Sequence, residues 1–371
     1  MPDLAFEPER LDDVDHLERT DPGGVLREVA SSAARVRMAQ RAAAEAGVDR
    51  LAREGRPRAI VVAGVGPGAL AGDMLAAVCG YGVPVAIATV RSPVLPGWVG
   101  AADLVMAVSR SGAEEETVAL AAEAGRRGCG LLAVGRRGSP LEDVTLRARG
   151  IFVPVPAYDG PPATVWDLTV PLVVATGALG LVRGVPEACE AAARRLEEVA
   201  HRCRPASESF INPGKSLALE LADTVPVIWG SYPLTAAAAR RFAGALHTHA
   251  RYPAIWGELP EAGHTQIATL DGPVAEKDIF AEGPGRTLRL VLLRDTDENP
   301  RTVRCREVAT RIAEERGVPV SVIDAEGVHP LERLAVLVGL CDFGSVYLAL
   351  GYGMDPARMA AIAEFQAEAT Q

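Results

Sequence analysis

The segment Ser109-Arg110-Ser111-Gly112-Ala113-Glu114-Glu115-Glu116-Thr117 is where residue types and spacing first suggest chemistry. It follows the apolar run Ala102 to Val108 and opens a helical pattern. Two hydroxyls, a glycine and backbone N–H groups, set where a strand's carboxyl end feeds a helix N-terminus, form a cradle for an anion. Glu114 stands where an anion binder would carry a hydroxyl, and Arg110 beside the serines offers a compensating charge. A second turn, Gly64-Val65-Gly66-Pro67-Gly68-Ala69, reads as G-x-G-x-x-A, the form of a dinucleotide-binding turn. The acid expected at the end of the next strand is absent, because the chain there reads Ala88-Thr89-Val90-Arg91. Arg91 would suit a 2′-phosphate instead, whereas Pro67 removes one N–H donor. A plain tight turn and a sugar-site turn are the competing readings.

His247-Thr248-His249 carries two imidazoles two residues apart. They share one face of a strand but not of a helix, and an extended stretch could offer both to one metal ion, although no third ligand is nearby. A polar role in a site and plain surface histidines are the alternatives. Pro260-Glu261-Ala262-Gly263-His264 places a carboxylate and an imidazole three apart in a loop, where a histidine could open a sugar ring by moving the ring-oxygen proton. Gly214-Lys215-Ser216 ends like a phosphate-binding P-loop, but position 209 is serine rather than the required glycine. Six cysteines, at 79, 129, 189, 203, 305 and 341, form neither a CxxC pair nor a zinc-spaced cluster. They read as small buried hydrophobes of a reducing cytoplasm. The expectation is no metal and no cofactor.

These turns need elements to hold them. Val25 to Ala46 reads as one Ala-rich helix stopped at Gly47. Ala59 to Ala63, Val83 to Thr89, Leu104 to Ser109, Gly130 to Val134 and Ile151 to Val155 are apolar runs without alternation, the pattern of strands buried on both faces of a parallel sheet. Trp166 to Arg183 and Pro186 to Arg202 read as helices. The alternation then resumes with strands at Val225 to Gly230, Tyr252 to Trp256, Leu288 to Leu293 and Val318 to Ile323, and helices at Leu234 to His247 and Arg301 to Arg316. The layout is α/β: two doubly wound parallel-sheet units, three-layer αβα sandwiches, joined by helices and divided as 1–183 and 184–371. In such sheets ligands sit at the carboxyl ends of strands, near a switch point.

At 371 residues, 49% of them hydrophobic and 23% charged, the chain can fill two cores. A net charge of −10 argues against nucleic acid as a partner. Met1 to Arg10 lacks the basic and apolar regions of a signal peptide. Pro162 to Val182 is apolar, but Asp167, Pro171 and its glycines favour a buried helix over a membrane span.

Several of these segments, taken together, resemble the bifunctional phosphoglucose/phosphomannose isomerases, which are built from two sugar-isomerase (SIS) domains. Gly64 to Asp73 is similar to that family's GMGGSGIxGD, and Ser109 to Thr117 to its SYSGNTEET. Asn212 to Ala218 resembles NPAKxLA, Leu259 to His264 resembles LPELNH, and Cys341 to Ala349 with Gly353 to Pro356 resembles its DFxSxYLA…GxDP tail. The likeness spans Ala59 to Glu364 in the family's order.

The resemblance implies a homodimer with the sugar derivative in a cleft between domains and His264 contributed across the interface. It implies that Gly66, Gly68, Ser109, Arg110, Ser111, Gly112, Glu114, Arg251 and Glu261 border the ligand. The family moves a proton between adjacent sugar carbons with a glutamate base in an NENxK segment. The corresponding segment is His247-Thr248-His249-Ala250-Arg251, so Thr248 takes the place of the base. Gln366 takes the place of a lysine, Pro162-Ala163 that of a Pro-Arg pair, Glu114 that of a threonine and Gly68 that of a serine. Three readings follow: an isomerase in which His247 or His249 serves as base, a non-catalytic relative that binds a sugar derivative or a partner protein, or an enzyme for a less anionic sugar derivative.

Overall fold

The computed structural model describes residues 5–53, 55–156, 163–275 and 287–369. Pro162, on the expected Pro-Arg pair, lies outside them, as do Met1 to Leu4. The chain opens with three helices, α1 (Val14–Thr20), α2 (Val25–Ala30) and α3 (Ser32–Glu45). The single helix expected from Val25 is thus broken: the Ser31 and Ser32 hydroxyls donate back to the carbonyls of Glu28 and Val29, local bonds that compete with helix continuation.

The first sheet holds β1 (Ala59–Ala63), β2 (Ala86–Val90), β3 (Leu104–Val108), β4 (Gly130–Arg136) and β5 (Ile151–Val155). All are parallel, in the order β2-β1-β3-β4-β5. Between them run α4 (Pro67–Cys79), α5 (Glu115–Arg126) and α6 (Pro140–Arg147). β1 and β3 are buried at every position. Ile60 and Val62 pack to one side while Val61 and Ala63 pack to the other, so helices cover both faces. Pro154 is tolerated because β5 is an edge strand.

Three helices, α7 (Trp166–Ala178), α8 (Val185–Arg202) and α9 (Pro213–Leu221), lead to the second sheet. It comprises β6 (Thr224–Ser231), β7 (Ile255–Leu259), β8 (Thr287–Arg294) and β9 (Val320–Asp324), parallel and ordered β7-β6-β8-β9. Around it lie α10 (Leu234–His249), α11 (Pro300–Glu315), α12 (Pro330–Gly351) and α13 (Ala360–Ala369). The topology repeats: β1, β2, β3 and β4 pair as β6, β7, β8 and β9 do, and among the described residues the first sheet adds a fifth strand. The strand expected at Tyr252 to Trp256 begins three residues later. Tyr252 is instead buried, its hydroxyl donating to the Leu221 carbonyl.

Each sheet has an outer core of its own, and one large core between the sheets is filled by α3, α7, α8, α10 and α12. The apolar α7 is buried along most of its length. α12 is long and apolar enough to cross a membrane, yet 94% of its most apolar stretch is inside the fold.

Candidate functional site

The carboxyl ends of β1 and β3, where the chain runs on to opposite faces of the sheet, form the crevice that the topology favours for a ligand. At the end of β1 the chain turns through Gly66, whose φ of +50° suits glycine, and Pro67 starts α4. A Cβ built on Gly68 would lie 2.1 Å from the Val108 carbonyl oxygen, and one on Gly64 2.6 Å from it. Both glycines therefore let α4 start flush against the end of β3. Gly68 is buried and its N–H donates to Val65 O at 3.0 Å, so it offers a ligand neither side chain nor donor.

The loop after β3 is closed on itself. Ser109 is buried and its Oγ accepts the Gly112 N–H at 2.7 Å. The exposed Ser111 accepts the Ala113 N–H at 3.0 Å. Gly112 holds φ +69°, and a side chain there would strike Ser139 Oγ at 2.1 Å. Two amides that could cradle an anion are thus already bonded. Glu114 is the N-cap residue of α5, its side chain makes no capping bond, and its buried Oε2 has no hydrogen-bond partner. With Glu115 and Glu116 it sets three carboxylates at the positive end of the helix.

Arg110 does not offer its charge to this loop. Its guanidinium is ion-paired with Asp167 in the first turn of α7, Nη2 lying 2.9 Å from Oδ1. Nη2 also donates to the Thr164 carbonyl at 2.7 Å. Asp167 is itself buried. Sequence reasoning missed this partner because it lies 57 residues away; its only signal was an acid in an otherwise apolar helix.

α10 brings the second half to the crevice. It runs antiparallel to α4: the Tyr81 ring just past the end of α4 lies 4.9 Å from the Tyr232 ring just before α10. Midway, Arg240 Nη1 is 3.0 Å from Asp73 Oδ2, and Asp73 also pairs with Arg91. Arg91 is thereby committed, as is Arg240, whose guanidinium lies over the Trp256 ring. At about 1.5 Å per residue, the last turn of α10 reaches the level of the α4 N-terminus.

That turn holds His247, Thr248 and His249 in a helix, correcting the extended reading. Successive residues rotate by about 100°, so the two imidazoles diverge. His247 is exposed, with Nε2 3.3 Å from the Ala254 carbonyl. His249 is buried, and its Nδ1 meets Ser345 Oγ at 2.8 Å. Burial, aided by the nearby Arg241 guanidinium, pushes its pKa down to about 3. Among the described residues no group of three or more His, Cys, Asp and Glu is placed to hold a metal. Thr248 donates its hydroxyl back to the Gly244 carbonyl at 3.0 Å.

The remaining expected residues are dispersed. Arg251, at φ +49°, spends Nη1 on the carbonyls of Asp355 and Arg358 at 3.0 and 2.8 Å. Glu261 and His264 are exposed in a short 3₁₀ turn beyond β7, and Gln366 is exposed on α13. The structure thus gathers Gly66, Ser109, Ser111, Gly112 and Glu114 on one sheet, with Thr248 approaching on α10. Glu261 and His264 belong to the edge of the other sheet. A buried network went unread in the sequence: Arg241 donates to Asp342 at 2.9 Å and to the Ala163 carbonyl at 2.7 Å, tying α10 and α12 to the segment before α7. Burial raises the Asp342 pKa.

Comparison with known proteins agrees with this architecture. Residues 210–368 match the bacterial phospho-glucose isomerase C-terminal SIS domain. The chain is 26% identical over 297 residues to the bifunctional phosphoglucose/phosphomannose isomerase of Caldicellulosiruptor bescii, covering 80% of this chain and 85% of that one. It is 28% identical over 279 residues to the same enzyme of Aquifex aeolicus, covering 75% and 80%. Among solved structures, a hypothetical protein from Thermus thermophilus shares the fold with a TM-score of 0.68 at 14% identity, over 98% of this chain and 94% of that one. The tagatose-6-phosphate ketose/aldose isomerase of Escherichia coli does so with a TM-score of 0.65 at 15% identity, over 89% and 93%. With paired parallel sheets and motifs in the same order, the chain is similar to the bifunctional phosphoglucose/phosphomannose isomerases, and its residues 210–368 match a bacterial phospho-glucose isomerase C-terminal SIS domain.

Proposed function

We propose that this protein binds a sugar derivative of little or no negative charge in the crevice between β1 and β3, and does not interconvert aldose and ketose phosphates. The observation that carries the reading is Thr248. The position that the resemblance gives to the base holds a hydroxyl bonded to its own helix. An alcohol is far too weak an acid to ionise near pH 7 and take up a carbon-bound proton. His249 cannot substitute, because it is buried and bonded to Ser345.

The ligand class rests on the loop. The cations carried by these segments, Arg110 and Arg251, are engaged by Asp167 and by backbone carbonyls. The loop hydroxyls accept the loop's own amides, and the helix start is acidic. A phosphate carries about −1.5 to −2 charges at pH 7, and a carboxylate 4 Å away would repel each charge by roughly 4 kcal/mol at an effective dielectric of 20. Six free cysteines, five of them buried, fit a reducing cytoplasm. The proposed form is a homodimer, which would give the exposed His264 a crevice to face.

The test is a coupled assay for conversion of mannose 6-phosphate and fructose 6-phosphate to glucose 6-phosphate, beside thermal shift with glucose, glucosamine and glucose 6-phosphate. The expected result is no turnover, with stabilisation by an uncharged or amino sugar and none by the phosphate. Loss of a positioned base costs about 10²–10⁴-fold in rate, so turnover within tenfold of an active isomerase would overturn the reading. His247 and His264 would then be the groups to replace.

A further inference from the structure

We infer that Asp167 is the residue that sets the charge of the ligand, by holding Arg110 out of the anion cradle. The inference rests on the reading of the crevice as a site for weakly charged ligands, and it names the device that makes it so.

Arg110 sits between the two serines of the β3–α5 loop, so the chain already carries a guanidinium at the position from which it could reach an anion held by that loop. Unopposed, a guanidinium beside a helix N-terminus would favour phosphate through charge and through its paired donors. Both Nη atoms of Arg110 point instead to Asp167, and Nη2 bonds Thr164 O as well. Asp167 is 3% exposed, so the pair is little screened by water and the clamp is held in the packing of α7 rather than at a mobile surface. A planar guanidinium gripped in this paired geometry is fixed in direction as well as neutralised. The loop is left with Glu114 as its nearest charge in sequence. Asp167 is therefore a positioning residue that acts through Arg110 and need not touch the ligand.

The test is isothermal titration of the full chain with inorganic phosphate and with glucose 6-phosphate, for the wild type, Asp167→Asn and Asp167→Asn/Arg110→Ala. The expected result is negligible binding by the wild type and a gain of at least about tenfold in Asp167→Asn, the worth of one charge-assisted hydrogen bond. That gain should vanish in the double variant and in Asp167→Glu, which restores the clamp. A purely structural role for Asp167 predicts loss of stability with no gain of affinity, and that result overturns the inference. So does a gain that survives Arg110→Ala. Should Asp167→Asn fail to fold, Asp167→Ser decides: a gain of phosphate affinity that Arg110→Ala abolishes supports the clamp, and a folded Asp167→Ser without that gain overturns it. Tight binding of glucose 6-phosphate by the wild type would sink the parent reading instead, so the two failures are distinguishable.

Discussion

His249 donates its Nδ1 proton to Ser345 Oγ, because that hydroxyl is itself committed as donor to the Asp342 carbonyl at 2.8 Å. The ring is neutral in the folded protein down to about pH 3 and takes up its proton near pH 6.5 once exposed. Between those values the unfolded chain binds the extra proton, so stability falls as pH falls, by up to about 1.4 kcal/mol per pH unit. Urea denaturation at pH 7 and pH 5 should show the wild type losing about 2 kcal/mol more than His249→Gln over that interval. Equal losses would mean that the imidazole is more accessible than its burial indicates. The residues at the crevice tell a related story. Ser109, Ser111 and Gly112 were readable as a loop that gathers hydroxyls and amides, and they do form one. That those groups bond one another was not readable, since it depends on the torsions of four consecutive residues and on Ser139 closing over Gly112.

At the scale of elements, the contact that shapes the crevice is the start of α4 against the end of β3. Gly68 permits it, and the serine that the family carries there would not fit: its Cβ would lie 2.1 Å from a backbone oxygen, which cannot rotate away. Gly68→Ser should therefore destabilise by about 1–3 kcal/mol through overpacking, seen as a lower Tm, without conferring phosphate affinity. A variant of unchanged Tm would show that α4 can retreat. The strands of this region were legible because burial on both faces leaves continuous apolar runs, as in Ile60-Val61-Val62 and Leu104 to Val108. β7 was less so. It is an edge strand that exposes Ile255 and Trp256, whereas the buried Tyr252 just before it belongs to the helix core and packs on Tyr352. Arg110 was read as a charge for the loop because nothing within its own segment reveals Asp167; only the packing of α7 against the first sheet brings them together.

For the molecule as a whole, α12 is what makes two sheets into one body. It packs on α8, α9 and α10 and reaches α4 of the first unit. Leu334, Leu337, Val338, Cys341 and Leu348 on it are all wholly buried. Burying a leucine or valine side chain is worth about 1.5–3 kcal/mol, so the four leucines and valines among them alone contribute about 6–12 kcal/mol, comparable to the whole stability of an ordinary domain, about 5–15 kcal/mol. A chain ending at Gly327 should be insoluble, or collapsed without a cooperative thermal transition in calorimetry. A sharp transition would mean that the first unit folds without the shared core. The repeated sheet topology makes two such units legible from the alternation of strands and helices. Their dependence on one helix was hidden, because a run of buried side chains does not say which partners bury it.

The same 22 residues, Pro330 to Gly351, have the length and apolar composition of a membrane-crossing helix. The order of synthesis bears on how they are covered. α8, α9 and α10 all precede α12 in the chain, so the receptacle can assemble while the apolar helix is still inside the ribosome. The late place of α12 in the chain then matters for folding, and a rearrangement that brought it out first would expose an apolar segment that the finished fold buries.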